Sequence, residues 1–159
     1  MKNIQTACAL IIATCSVFLL FSCGNGDSIV KMTEKEQLTA NRKMVESMQL
    51  AYEGEKTATA KYAAFSEKAE EEGFHSIALL YKAASAAENI HARNHKAVIE
   101  DAGKSVSEVK PEYTVKTTKV NLFNDINGES SESKTRYPAF LKVAEIAGNQ
   151  IACLSLSYA

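Results

Sequence analysis

The sequence predicts an all-α fold, a four-helix bundle made of two helical hairpins joined by a long crossover. Three observations predict it. Apolar residues recur at helical spacing on both sides of Gly73. The stretch KSVSEVKPEYTVKT, residues 104–117, interrupts that spacing around Pro111. The chain also repeats itself: GEKTATAKYAAFSEKAEEEG from Gly54 aligns with GESSESKTRYPAFLKVAEIAG from Gly128. The alignment matches Tyr62 with Tyr137, Phe65 with Phe140, Ala69 with Ala144 and Gly73 with Gly148. The Gly-Glu pairs stand 74 residues apart and the later matches 75, so the second copy holds one extra residue, which a π-bulge would absorb. Past the turn, Ile77-Ala78 matches Ile151-Ala152 at an offset of 74 again. Two similar hairpins imply pseudo-twofold symmetry.

The elements follow in order. Residues 1–22 read as a bacterial lipoprotein export signal: Lys2, an almost uncharged apolar run from Ala7 to Phe21, then Leu20-Phe21-Ser22 before Cys23. The apolar run is shorter than the about 20 residues a membrane-spanning helix needs. Cleavage before Cys23 would leave that cysteine to carry the lipid, with residues 23–32 as a tether and residues 33–159 as the folded domain. This places the domain at the cell envelope, lipid-anchored on the periplasmic side of a membrane. Cys8 and Cys15 leave with the signal, so Cys153 alone remains in the domain and no disulfide framework is available.

Thr33-Glu34-Lys35-Glu36 fits a capping box that opens the first helix. Its apolar pattern runs through Leu38, Met44, Val45, Met48, Tyr52, Tyr62, Phe65 and Ala69 to a glycine C-cap at Gly73. A second helix spans 74–102, with Ile77, Leu80, Tyr81, Ala84, Ile90 and Val98 at helical spacing, and stops at Gly103. After the crossover a third helix runs from about Lys119 to Ala147, and a fourth begins near Asn149. By the repeat offset, the counterpart of Glu88 falls at position 162, so the fourth helix reads as incomplete. A groove lined by Tyr62, Leu80 and Phe140 would then favour a homo-oligomer. The charges, 18 basic against 19 acidic, offer no basic field for nucleic acid.

Within the alanine-rich second helix, AAENIH sets Glu88 and His91 one turn apart on the same face. Glu55 lies 18 residues before Gly73 and Glu88 lies 15 after it, so antiparallel helices bring the two carboxylates to nearly one height. Glu129 holds the place in the third helix that Glu55 holds in the first, and Glu132 follows at i+3. A Glu from one helix and Glu-x-x-His from its partner is the ligand layout of carboxylate-bridged di-iron bundles. Hard carboxylates suit two closely spaced cations, and imidazole adds a neutral borderline donor. His95, at i+4 from His91, is expected at the boundary or surface. His75 and the run Glu70, Glu71, Glu72 are expected to be solvated, and the tyrosines also fit plain core positions.

AYEGEKTATAKYAAFSEKAEEEGFHSIALLYKAASAAENIHARNH resembles the first half of the di-iron domain of the rubrerythrins, within the ferritin-like superfamily. NLFNDINGESSESKTRYPAFLKVAEIAGNQIA resembles the start of its second half. The resemblance covers about residues 38–159. It implies that Glu55, Glu88, His91, Glu129 and Glu132 ligate iron in a di-iron centre, with no haem or flavin, and that Tyr62 and Tyr137 stand close to the irons. It also implies that one iron shifts between His91 and Glu132 as its oxidation state changes, and that the reaction is reduction of hydrogen peroxide in oxidative stress defence. No CxxC pair for a rubredoxin-type iron site occurs, so the electrons would come from an external donor. Two other readings stay open at this stage: ferritin-like iron binding or oxidation without peroxide turnover, and a truncated copy that has lost its metal.

Overall fold

The computed structural model describes residues 32–159. The residues expected to form the export signal, Cys23 and all of the expected tether except Met32 lie outside the described residues. Helix α1 spans Glu34–Glu71, α2 His75–Asp101, α3 Thr118–Ser131, α4 Tyr137–Ala147 and α5 Gln150–Ser157, with a π-helical segment, Glu132–Arg136, between α3 and α4. No strand occurs among the described residues.

Thr33 opens α1 as its capping box dictates: the Glu36 N–H donates to Thr33 Oγ1 at 3.3 Å and the Thr33 N–H donates to Glu36 Oε2 at 2.8 Å. The helix ends at a left-handed glycine, Gly73, with φ +79°. The Phe74 N–H reaches the Ala69 carbonyl at 2.8 Å and the Gly73 N–H reaches Glu70 at 3.0 Å, the pair of bonds that closes a Schellman turn. Its repeat partner Gly148, at φ +69°, closes α4 with the same two bonds, to Ala144 and Glu145. Both positions lie where a Cβ is strained, so the repeat preserved glycine there for a backbone reason.

Two parts of the sequence reading are corrected. The third helix is not one α-helix over 119–147: it starts at Thr118 and is interrupted by the π segment, where the Tyr137 N–H bonds to the carbonyl of Glu132 five residues back. The extra residue of the second repeat copy is absorbed there, between the Gly-Glu match and the tyrosine match. Glu70 and Glu71 are exposed, but Glu72 is half-buried and accepts the Thr118 N–H at 2.9 Å, capping α3 from across the chain.

Antiparallel α1 and α2 share the largest interface; α4 lies on α1, and α5 lies on both α4 and α2. One core cluster joins Met44, Met48 and Ala51 of α1 to Val98 and Ile99 of α2, Ala144 and Ala147 of α4, and Ala152 and Leu156 of α5. Met48 and Ile99 are fully buried, each stabilising the fold by about 1.5–3 kcal/mol relative to an exposed side chain. A second cluster holds Tyr62, Phe65 and Tyr81, with Leu122 of α3 against it. Tyr62 is therefore 3% exposed and belongs to the core, not to an open groove, although Leu80 is exposed. Along α1 the two clusters are separated by residues 52–61, and Glu55 is the buried charged residue in that gap.

Candidate metal centre

The gap between the apolar clusters is where the polar side chains converge. One ligand atom from each of Glu55, Glu88 and His91 lies within 4.8 Å of the others. His91 Nδ1 stands 2.8 Å from Glu88 Oε2 and 3.8 Å from Glu55 Oε1, so the imidazole nitrogen that can coordinate is turned toward both carboxylates. The equal heights of Glu55 and Glu88 on antiparallel helices, read from the sequence, bring them together here.

The electrostatics of the pair are those of two carboxylates sharing one proton. Burial pushes the Glu88 carboxyl up, and the hydrogen bond and charge of Glu55 push it further, to about 8. Burial also pushes Glu55 up, but the neighbouring His95 imidazole, the Glu88 carboxyl, the hydrogen bond from Tyr137 and nearby His91 outweigh it and hold Glu55 below the ordinary carboxylate value. The proton resides on Glu88 and the negative charge on Glu55. A divalent cation in the triad would take over the role of that proton, and two carboxylates with one imidazole nitrogen are a donor set that hard to borderline divalent ions accept. The residues present thus fit a metal ion.

Glu129 and Glu132 stand outside the triad. They line a cleft beside it, together with Gly54, Lys61, Gly128 and Arg136. Glu132 pairs with Arg136 one turn on. It also lines a small cavity together with Glu55. Burial pushes Glu132 up more than the Arg136 guanidinium draws it down. Glu129 is exposed and accepts a hydrogen bond from the Tyr62 hydroxyl. Neither glycine is demanded by packing: a Cβ on Gly54 would meet Arg136 Nη1 at 3.9 Å, an ordinary contact, and one on Gly128 would meet nothing within 4 Å.

The two tyrosines are crossed between the repeat halves. Tyr62, from the first half, donates to Glu129 of the second, and Tyr137, from the second, donates to Glu55 of the first. Burial and the carboxylates they face push both phenols far above their ordinary range, so each remains a proton donor. Behind Tyr62 lies Tyr81, whose hydroxyl donates to Asp125 at 2.8 Å, and Lys61, which bonds Asp125 at 2.9 Å and covers the Tyr62 ring at 4.4 Å. Behind Tyr137 lies a residue that the sequence reading misplaced. His95 is not at the boundary: it is 0% exposed, and its ring nitrogens face Ser155 Oγ at 2.8 Å and the Tyr137 hydroxyl at 3.3 Å. The only signal for it in the sequence was its i+4 spacing from His91; its cover comes from α5, 60 residues away. His75, as read, is exposed at the turn, bonded to Glu70.

Comparison with known proteins gives the chain a family. A family model described as Rubrerythrin matches residues 46–156. Nigerythrin of Nitratidesulfovibrio vulgaris is 36% identical over 122 residues, covering 72% of this chain and 57% of nigerythrin. Rubrerythrin-2 of Clostridium acetobutylicum is 33% identical over 129 residues, covering 80% of this chain and 67% of that protein. The solved structure of the fully reduced, all-ferrous state of nigerythrin superposes with a TM-score of 0.61 at 33% identity, covering 71% of this chain and 56% of that one. The chain thus spans little more than half the length of nigerythrin.

Proposed function

The chain belongs to the rubrerythrin family, and from that premise we propose that it holds a di-iron centre and reduces hydrogen peroxide, with electrons from an external donor. The observation that carries the reading is the triad of Glu55, Glu88 and His91, a buried and a half-buried carboxyl held together with an inward imidazole nitrogen. Glu129 and Glu132, across the cleft, are the ligands proposed from the second half, and the all-ferrous nigerythrin structure supports iron as the metal. When bound, two ferrous ions supply the two electrons that, with two protons, reduce one hydrogen peroxide to two waters. The chain's own residues hold and orient around them: Tyr137 fixes Glu55, Tyr62 fixes Glu129, and Arg136 holds Glu132. The open cleft between α1 and the π segment gives a small polar oxidant access to the two second-half carboxylates.

Stopped-flow mixing of the anaerobic ferrous protein tests the reading. Oxidation by hydrogen peroxide is expected to outpace oxidation by dioxygen. Faster reaction with dioxygen would favour iron oxidation or storage without peroxide turnover, and failure to bind iron would overturn both.

We further propose that the domain is exported and anchored through lipid on Cys23, supported by the apolar run that ends at that cysteine. Cells fed labelled fatty acid are expected to label the wild-type chain and not Cys23→Ala. Equal labelling of the two would overturn the anchor.

A further inference from the structure

The two tyrosines are related by the repeat, yet their surroundings differ. Tyr62 is backed by Tyr81 and by Lys61, whereas Tyr137 is backed by a fully buried histidine. The proton positions along that second arm follow from counting donors. Tyr137 has one hydroxyl proton, and it goes to Glu55, whose ionised oxygens only accept. The Tyr137 oxygen is then an acceptor toward His95 Nε2, 3.3 Å away, so Nε2 carries a hydrogen. An uncharged imidazole with its hydrogen on Nε2 leaves Nδ1 as an acceptor, and Ser155 Oγ, 2.8 Å away, donates to it. The result is one directed chain from α5 through α2 and α4 to α1: Ser155 to His95, His95 to Tyr137, Tyr137 to Glu55. His95 Nε2 also lies 3.8 Å from Glu55 Oε1, so the imidazole backs the carboxylate as well as the phenol.

We propose that His95, held as its Nε2–H tautomer by the Tyr137 oxygen whose own proton goes to Glu55, is a positioning residue that fixes Tyr137 and, through it, Glu55. The alternative tautomer would offer Nε2 as an acceptor, and the Tyr137 proton would be drawn away from Glu55. Ser155 Oγ, 2.8 Å from Nδ1, completes the other side of the ring, which gives α5 a part in the site although it contributes none of the five proposed ligands.

The inference takes Glu55 as a metal ligand from the preceding reading, but its first test needs no metal. In the ¹⁵N-labelled full chain, two-bond ¹H–¹⁵N correlation separates the two tautomers from the imidazolium. His95 is identified by the signal lost in His95→Phe. A single Nε2–H form is expected; an Nδ1–H or doubly protonated ring in the wild type would overturn the proposal. The second test is Co(II) titration. His95→Phe is expected to weaken Co(II) binding by about 10–100-fold, the usual scale for a residue that orients a ligand. Tyr137→Phe should cost about as much and the double variant no more, because both act through one chain. His95→Gln, which keeps a donor at the end of the side chain, should recover part of the loss. Additive losses, or unchanged affinity in His95→Phe, would overturn the positioning role. If the wild type binds no Co(II), the metal reading fails, and the tautomer result alone decides the proposal.

Discussion

Glu88→Ala and His91→Ala are expected to lose tightly held metal while keeping the helical signal of the wild type. Each removes one corner of the triad, and loss of a direct ligand should exceed the tenfold to hundredfold effect of losing a residue that merely orients one. The apo fold should survive because the site is a liability without its cation: burial first, and then the like charge of Glu55, Glu129 and Glu132, keep Glu88 protonated there. Removing one member of such a cluster relieves repulsion, whereas a large penalty arises only when a variant strands an unpaired buried charge. In Glu88→Ala the remaining charge, on Glu55, keeps its bond from Tyr137. The measurement is metal content after dialysis, with the apo melting temperature beside it. A melting point far below that of apo wild type would show that Glu88 and His91 are structural contacts instead.

Raising the pH from 6 to 9 is expected to destabilise the metal-free protein and to strengthen its hold on metal. The folded chain keeps a proton on Glu88 up to about pH 8, while in the unfolded chain that carboxyl titrates near its ordinary 4.5. Between those values the folded state binds more protons, so stability falls as the pH climbs. The contribution is complete below about 4.5 and is lost as the pH rises through about 8. Glu55 has the opposite sign, its contribution being lost only in acid, so it does not mask the effect in this window. After allowance for solvent screening of a side chain that is not wholly buried, the loss is about 1–2 kcal/mol. That corresponds to a fall in Tm of about 3–8 °C. A bound cation must displace the same proton, so metal affinity rises over the same range. Glu88→Gln, which keeps the shape and cannot ionise, should flatten the apo profile; a profile as steep as that of the wild type would place the titrating group elsewhere.

Much of the architecture was legible because its signals are local. Thr33 and Glu36 announce a helix start within four residues, and Gly73, Gly103 and Gly148 mark stops that only a left-handed residue closes well. The Glu55–Glu88 meeting could be reached by counting outward from Gly73, since a hairpin fixes heights on both arms. What failed to show was lateral. His95 shares a helix face with His91, but whether that face is wet depends on α5, which no spacing within α2 reveals. The crossing of the tyrosines is hidden for the same reason: the repeat pairs Tyr62 with Tyr137 but is silent on which glutamate each reaches, 67 and 82 residues away. Glu72 looked like one more solvated charge until α3 arrived to use it as a cap.

The π segment carries a consequence for descent. Everything that distinguishes the register of the two halves from Glu129 to Tyr137 amounts to one residue, absorbed by Glu132–Arg136. One inserted codon in a duplicated ancestral hairpin is enough to create it, and one deletion is enough to erase it. The longer half carries Glu132 and Arg136 where the first half has Ala58 and Lys61, so the ion pair of this arm has no counterpart in the other. The asymmetry of register at the centre is thus confined to one residue, and it leaves the glycine stop that closes each copy in place.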